Sequence, residues 1–289
     1  MLDVQSKLEF LADLDLYKTQ RPFIFTPGQD SEKQIDTGEH NLNTVELQYE
    51  TVTLLDIRHE PGYKMQECGF ELVANEMQNT GLNFLEESAR NQYACETEEF
   101  WVKHLNAEYA LCYDVKLRRN GFWDPDEPVD LLKRGWLEPP ARGIHVDLTF
   151  EQAPVLITKH LTGRGQQQYL KPGFRIRIVN TWRPLLPVIE DNPLAFCDSR
   201  SVAPSDLVLA DRVFPNYIYT LYFLKHNPAQ RWHWVSEQTP SEIMLMLMYD
   251  TEPGAARFCA HGSFQNPLAP VNAPPRESIE TRTIVISRE

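Results

Sequence analysis

His145 and Asp147 stand two positions apart in Gly143-Ile144-His145-Val146-Asp147, and His261 lies far downstream. Two imidazoles and one carboxylate are the set that takes one face of Fe(II) and leaves the other open for a co-substrate and oxygen. A lone His-x-Asp occurs often by chance and is then a surface strand pair. The residues downstream of His261 strengthen the iron reading. Arg276 and Ser278 supply a guanidinium fork and a hydroxyl. A planar fork matches a carboxylate through two parallel hydrogen bonds, which suits the distal carboxylate of 2-oxoglutarate. Arg282 is the competing anchor, and pairing of Arg276 with Glu277 or Glu280 at the surface is the structural alternative. The chemistry implied is oxygenation, with Fe(II), 2-oxoglutarate as co-substrate and O2.

A second polar concentration lies at Arg175, Arg177, Asn180, Trp182 and Arg183, followed by Asp198 and Arg200. The first five are candidates for a wall that recognises a substrate carboxylate. Strand alternation puts Arg175 and Arg177 on one face. For Asp198 and Arg200 a structural Arg–Asp network is the better reading. With the ligand set already complete, His160, His226 and His233 are expected to be structural. The Met244–Met248 run reads as core strand, and Asp124 to Glu127 as a solvated acidic loop tip.

The elements that must position these residues are mainly strands. Residues 14–17 and 23–25 read as strands, followed by loop to about Gln48. Residues 69–91 show apolar residues at mixed three- and four-residue spacing and read as helical, divided at Gly81. Residues 97–105 read as a short helix with acidic residues at its positive end. Beyond Tyr109 come strand-like runs at 109–117, 155–161, 174–182, 207–214, 217–224, 231–236, 243–249 and 281–287, with a loop at 120–140. Many short strands separated by turn residues indicate a sandwich or barrel. The expected architecture is a jelly roll, a double-stranded β-helix, with N-terminal helices packed on its outside. The His-x-Asp would end an early strand and His261 would begin a late one, and the long interval between them requires inserted loops. Residues 1–289 are expected to be one oxygenase domain, with a helical and loop-rich part (1–110) feeding the jelly-roll body (111–289).

A formal charge of −13 argues against nucleic-acid or anionic-membrane partners, which need a basic surface. Five cysteines, Cys68, Cys95, Cys112, Cys197 and Cys259, show no zinc-like spacing and fit unpaired thiols in a reducing compartment. No signal peptide or membrane-length apolar run is apparent, so a cytoplasmic location is expected. The partner expected is a small molecule, and oligomeric state is not legible.

From Asn180 onward, larger blocks carry a family resemblance. They are Asn180-Thr181-Trp182-Arg183-Pro184-Leu185, Pro193 to Val202, Asp206-Leu207-Val208, His226-Asn227-Pro228 with Arg231-Trp232, Thr239-Pro240-Ser241-Glu242, Tyr249-Asp250-Thr251, His261-Gly262-Ser263-Phe264 and Pro274 to Glu280. Together they resemble the fungal gibberellin-desaturase-like family, also described as the AsaB/CmcJ-type hydroxylase–desaturases of secondary metabolism. The resemblance is strong over roughly the C-terminal half and the His145–Asp147 segment, and weak before Tyr93. It implies the double-stranded β-helix and Fe(II)/2-oxoglutarate chemistry on a small metabolite: hydroxylation, desaturation or oxidative cyclisation, including aziridine formation on a branched-chain amino acid in one branch. Gly262, His233-Trp234 and the Met244–Met248 run depart from the family pattern. A jelly roll that binds a small molecule without catalysis is the competing class. Methyl transfer is disfavoured, because no Gly-rich nucleotide loop follows a strand.

Overall fold

The computed structural model describes residues 2–25, 44–60, 62–79, 81–121, 137–214, 217–252, 254 and 256–289. In chain order the elements begin with β1 (Val4–Leu11), β2 (Phe23–Phe25), β3 (Leu47–Asp56), α1 (Met65–Cys68), β4 (Phe70–Ala74) and α2 (Glu87–His104). The middle carries β5 (Tyr109–Arg119), β6 (Leu137–Glu138), β7 (His145–Val146), α3 (Gln152–Gly163), β8 (Phe174–Pro184) and β9 (Leu194–Cys197). The last part carries β10 (Leu207–Phe214), β11 (Tyr217–Leu224), β12 (Trp232–Trp234), β13 (Glu242–Asp250), β14 (His261–Ser263) and β15 (Glu277–Arg288). The acidic tip at Asp124 to Glu127, most of the 120–140 loop and residues 26–43 lie outside the described residues.

Two sheets form the body. The nine-stranded sheet runs β1-β3-β12-β9-β14-β7-β11-β10-β2, and the six-stranded sheet runs β4-β13-β8-β15-β5-β6. The two are mainly antiparallel, with the crossovers of a jelly roll. Alternation in the six-stranded sheet separates an interior from an exterior face. Ile176, Ile178 and Trp182 of β8 pack inward with Met244, Met246 and Met248 of β13 and Ile284 and Ile286 of β15. Val179, Leu245, Leu247 and Val285 face the other way, onto Met65 and Trp101. Trp101 belongs to α2, so this helix covers the outside of the sheet, as expected of the N-terminal helices.

Several local expectations are corrected. Residues 69–91 do not form the expected helix divided at Gly81: Gly69 ends α1 at φ 96°, β4 comes at once after it, and 87–91 are the start of α2. A side chain at Gly69 would collide with the Phe258 carbonyl, so glycine is required by close approach as well as by its left-handed backbone. The 97–105 helix is the C-terminal half of the longer α2. Residues 155–161 are helical, within α3, rather than a strand. Their β-branched composition suggests a strand, but buried Ala153, Ile157 and Leu161 recur every four residues. Pro154 sits in the first helical turn, where a missing N–H costs nothing. Residues 14–17 lie in and beside a 3-10 turn at Asp15–Lys18.

The first 110 residues contribute more strand than expected. β1 and β3 pair in register from Val4↔Leu54 to Leu11↔Leu47, and β4 pairs with β13. β1 alternates buried Val4, Ser6, Leu8 and Phe10 with exposed Gln5 and Lys7. Both sheets are therefore built from the two ends of the chain together.

Candidate active site

The site starts from register. β7 lies between β14 and β11, with His145 opposite both His261 and Phe223. Directly opposed residues in adjacent strands share a face. This brings the two imidazoles together, with ring centroids 4.6 Å apart. Asp147 comes immediately after β7. Ligand atoms of His145, Asp147 and His261 all lie within 4.8 Å of one another. β14 must run close against the chain before β7 to achieve this. A Cβ at position 262 would lie 2.8 Å from Ile144 Cδ1 and 2.9 Å from the Arg142 carbonyl oxygen, which explains the departure to Gly262.

Backbone carbonyls orient both rings. His145 Nδ1 is 2.8 Å from the Gly143 oxygen and His261 Nδ1 is 3.1 Å from the Cys259 oxygen. Placing a proton on each Nδ1 turns the two Nε2 lone pairs into the site, the tautomer a metal requires. Burial, and then the neighbouring His145, push the His261 imidazole down to about 4, so it is neutral at neutral pH.

Asp147 is gripped more firmly than the histidines. Arg282 forks it, with Nη2 at 2.9 Å from Oδ1 and Nε at 3.1 Å from Oδ2. Asn180 Nδ2 donates to Oδ2 at 2.5 Å, and the Tyr219 hydroxyl donates to the Asp147 backbone carbonyl. Burial raises the Asp147 carboxyl, but the charge of Arg282 holds it well below the usual range. Arg282 also reaches Asp114 at 3.0 Å.

Arg276 is placed differently. It is 1% exposed, its Nη1 donates to the Asn192 carbonyl at 2.7 Å, and its guanidinium lies 5.4 Å from the Trp182 ring centroid. Among the described residues no carboxylate pairs with its guanidinium. Its Nε, the Ser278 hydroxyl and the Trp182 indole N–H are buried with no hydrogen-bond partner. Burial, then repulsion from Arg118, lowers Arg276 to about 9. A buried cation beside unpaired donors costs several kcal/mol and fits an absent anion. The donor set thus suits a metal at the triad and a carboxylate at Arg276.

The structure divides the second polar group. Asn180 and Trp182 reach the interior, at Asp147 and Arg276. Arg175, Arg177 and Arg183 occupy the exterior face of β8 and are not brought to the triad. Arg175 forks Asp250 at 3.0 and 2.6 Å, and Arg177 meets Ser287 at 3.1 Å. Arg183 donates to the Tyr93 hydroxyl of α2 at 2.9 Å and to the carbonyls of Asn75 and Pro240. Asp198 pairs with Arg200 at 2.8 Å and Arg231 at 2.9 Å, forming the structural network expected of it. His160 stacks on Tyr113, His226 packs edge-on to Phe10, and His233 sits among Tyr63, Phe70 and Phe196. Sequence reasoning missed Tyr219 and Arg118, and weighed Glu280 only as a surface partner of Arg276. Arg118 and Glu280 form a part-buried fork at 3.0 and 3.1 Å beside Arg282. The available signal was charge recurring every second residue within apolar strands.

Comparison with known proteins identifies the class. A family described as an oxidoreductase/YMDC permease-like domain matches residues 14–286. The hydroxylase/desaturase efuI of Hormonema carpetanum is 30% identical over 265 residues, 84% of this chain and 86% of efuI. The alpha-ketoglutarate-dependent dioxygenase tstK of Talaromyces stipitatus is 27% identical over 91% of this chain and 94% of its own. A solved structure of the iron and alpha-ketoglutarate-dependent endoperoxidase NvfI superposes with a TM-score of 0.82 at 22% identity, covering 99% of this chain and 98% of that one. The chain belongs to the family of fungal hydroxylase/desaturases that includes efuI, and its jelly roll is that of NvfI. It is an Fe(II)/2-oxoglutarate-dependent oxygenase of secondary metabolism. Among the described residues no helix is long and apolar enough to cross a membrane.

Proposed function

We propose that His145 Nε2, His261 Nε2 and one Asp147 oxygen hold Fe(II), and that Arg276 with Ser278 takes the far carboxylate of 2-oxoglutarate. The observation that carries this reading is the convergence of the three ligand groups within 4.8 Å. The unpaired, buried Arg276 supports its second half. Arg282 is assigned to Asp147 rather than to the keto acid, because both oxygens of that carboxylate already engage its fork.

With iron and O2, 2-oxoglutarate supplies an oxidative decarboxylation to succinate and CO2, coupled to removal of hydrogen from a substrate C–H bond. The protein's part is orientation and exclusion. The Gly143 and Cys259 carbonyls keep both imidazoles in the ligating tautomer. Arg282, Asn180 and Tyr219 fix the carboxylate and its loop. Trp182 lies beside the Arg276 guanidinium and limits the directions its donors can face. The substrate is a small metabolite, and the outcome is hydroxylation, desaturation or ring closure, with ring closure on a branched-chain amino acid as one candidate. Asn180, whose Oδ1 is buried without a donor, and Trp182 remain candidates for substrate or co-substrate contact. Arg175, Arg177 and Arg183 are assigned to the exterior framework. We take residues 1–289 as one oxygenase unit, since strands from both ends share both sheets. A cytosolic location is supported by five unpaired cysteines. A binding protein that had lost redox chemistry is disfavoured, because a degenerate site would be expected to lack part of this set.

Succinate release from 2-oxoglutarate tests the triad. Asp147→Ala should abolish it in folded protein; undiminished turnover in that variant would sink the assignment.

A further inference from the structure

We propose that Arg212, on β10 of the nine-stranded sheet, anchors a carboxylate of the small-molecule substrate, opposite the wall that holds 2-oxoglutarate. The proposal deepens the oxygenase reading and rests on it. Its geometry comes from register. Arg212 is paired across the strands with Tyr219 of β11, and the Tyr219 hydroxyl reaches the Asp147 backbone carbonyl. Directly opposed side chains share a face at about 5 Å between Cβ atoms. The Arg212 side chain therefore starts beside a ring whose far end touches the triad loop. Its guanidinium lies 5.8 Å from the centroid of Phe214, two residues along the same strand.

Among the described residues half-buried Arg212 has no carboxylate partner, whereas Arg118, Arg175 and Arg282 each have one. Its Nε is buried and donates to nothing. The anion whose charge it feels most, Glu138, is taken by Lys116 at 2.9 Å and Arg118 at 3.1 Å. Asp147 and Asp114 are taken by Arg282, and Glu280 by Arg118. Burial, together with repulsion from Arg118 and Arg282, acts against its charge, yet a guanidinium does not give up its proton in proteins. Arg177 also has a bare Nε, but it lies on the exterior face beside Arg175 and Asp250. Once 2-oxoglutarate is assigned to Arg276, Arg212 is the interior arginine left without an anion among the described residues. A planar fork selects a carboxylate.

The test uses protein loaded with Mn(II) and saturated with 2-oxoglutarate, so that the metal and Arg276 are both occupied. Isovalerate and isovaleramide, matched in shape and differing in charge, are titrated by calorimetry. The acid should bind on the order of tenfold tighter than the amide, the value of one charge-assisted hydrogen bond. Arg212→Gln should erase that preference while leaving the 2-oxoglutarate Kd near wild type, and Arg212→Lys should retain part of it. Equal binding of acid and amide to the wild type would overturn the proposal, as would a preference that survives in Arg212→Gln. The underlying reading fails separately, through absence of the Fe(II)–2-oxoglutarate absorption band in the wild type.

Discussion

Arg276 and Arg282 stand six residues apart, just before and within β15, the first buried and the second half-buried, yet their surroundings are opposite. Arg282 grips Asp147 and Asp114, and those carboxylates hold its charge well above the ordinary arginine range after burial is overcome. Among the described residues Arg276 has a carbonyl, an indole face and no carboxylate, and burial lowers it to about 9. The first is a finished ion pair that holds Asp147, the carboxylate proposed to ligate the metal. The second is half of an interaction. A buried cation is tolerated only when something neutralises it, which supports the proposal of an anionic ligand at Arg276. Residue type alone does not separate these roles; the neighbouring groups do.

The comparison can be broken most sharply at Arg276. Arg276→Met should weaken 2-oxoglutarate binding by on the order of a hundredfold, at the upper end for charged hydrogen bonds, with metal affinity unchanged. Calorimetry with Mn(II)-loaded protein measures both. A 2-oxoglutarate Kd within twofold of wild type would return the anchor to Arg282. The converse change, Arg282→Gln, should lower metal affinity by on the order of tenfold, the usual cost of losing a group that orients a ligand. Once the metal is bound, 2-oxoglutarate should bind that variant as it binds wild type. If the variant lost 2-oxoglutarate affinity instead, the two roles would be exchanged.

A third prediction concerns pH. His233 and His261 are both pushed down to about 4, chiefly by burial. Below the ordinary value of 6.5 the unfolded chain takes up protons that the native state refuses. Stability of the metal-free protein should therefore be undiminished above pH 6.5 and fall as pH drops from 6.5 towards 4. Each such histidine contributes on the order of 3 kcal/mol across that window. Urea midpoints against pH read this out, and His233→Phe should remove its share, leaving a shallower fall. An unchanged slope in that variant would mean the buried ring is protonated in the native state. The smallest effect on the site is expected outside the barrel. Arg175→Gln removes a fork whose arginine is partly exposed but whose Asp250 carboxylate is 1% exposed, and should cost about 2 kcal/mol, with 2-oxoglutarate binding unaltered.

The parts of this protein legible in its sequence are those where residue type carries the chemistry. His145, Asp147 and His261 are ligand types at a recognisable spacing, and Arg276 with Ser278 is the pair proposed for a carboxylate. The family blocks raise these above chance matches. The strands from 174 onward are legible through alternation and turn residues. Arg175, Arg177 and Arg183 cannot be placed from type, because alternation says which residues share a face but not which face is inside. Parity still separates them from Asn180 and Trp182, and grouping all five conceals that. α3 reads locally as a strand because of Val155 and Ile157, while burial at every fourth residue prevails. β1 escapes notice despite its period-two pattern, because polar Gln5 and Lys7 give the segment a loop-like composition. Arg212 lies in a recognisable strand, but only the groups around it reveal that it lacks an anion among the described residues.

The central claim, that this triad and Arg276 together form an iron–keto-acid site, is tested most directly by anaerobic titration. Metal-free protein receives Fe(II) and then 2-oxoglutarate while visible absorption is recorded. A weak charge-transfer band that requires both additions, and that needs far more 2-oxoglutarate in Arg276→Met, is the predicted result. Folded, iron-loaded wild-type protein that gives no band at saturating 2-oxoglutarate would contradict the account.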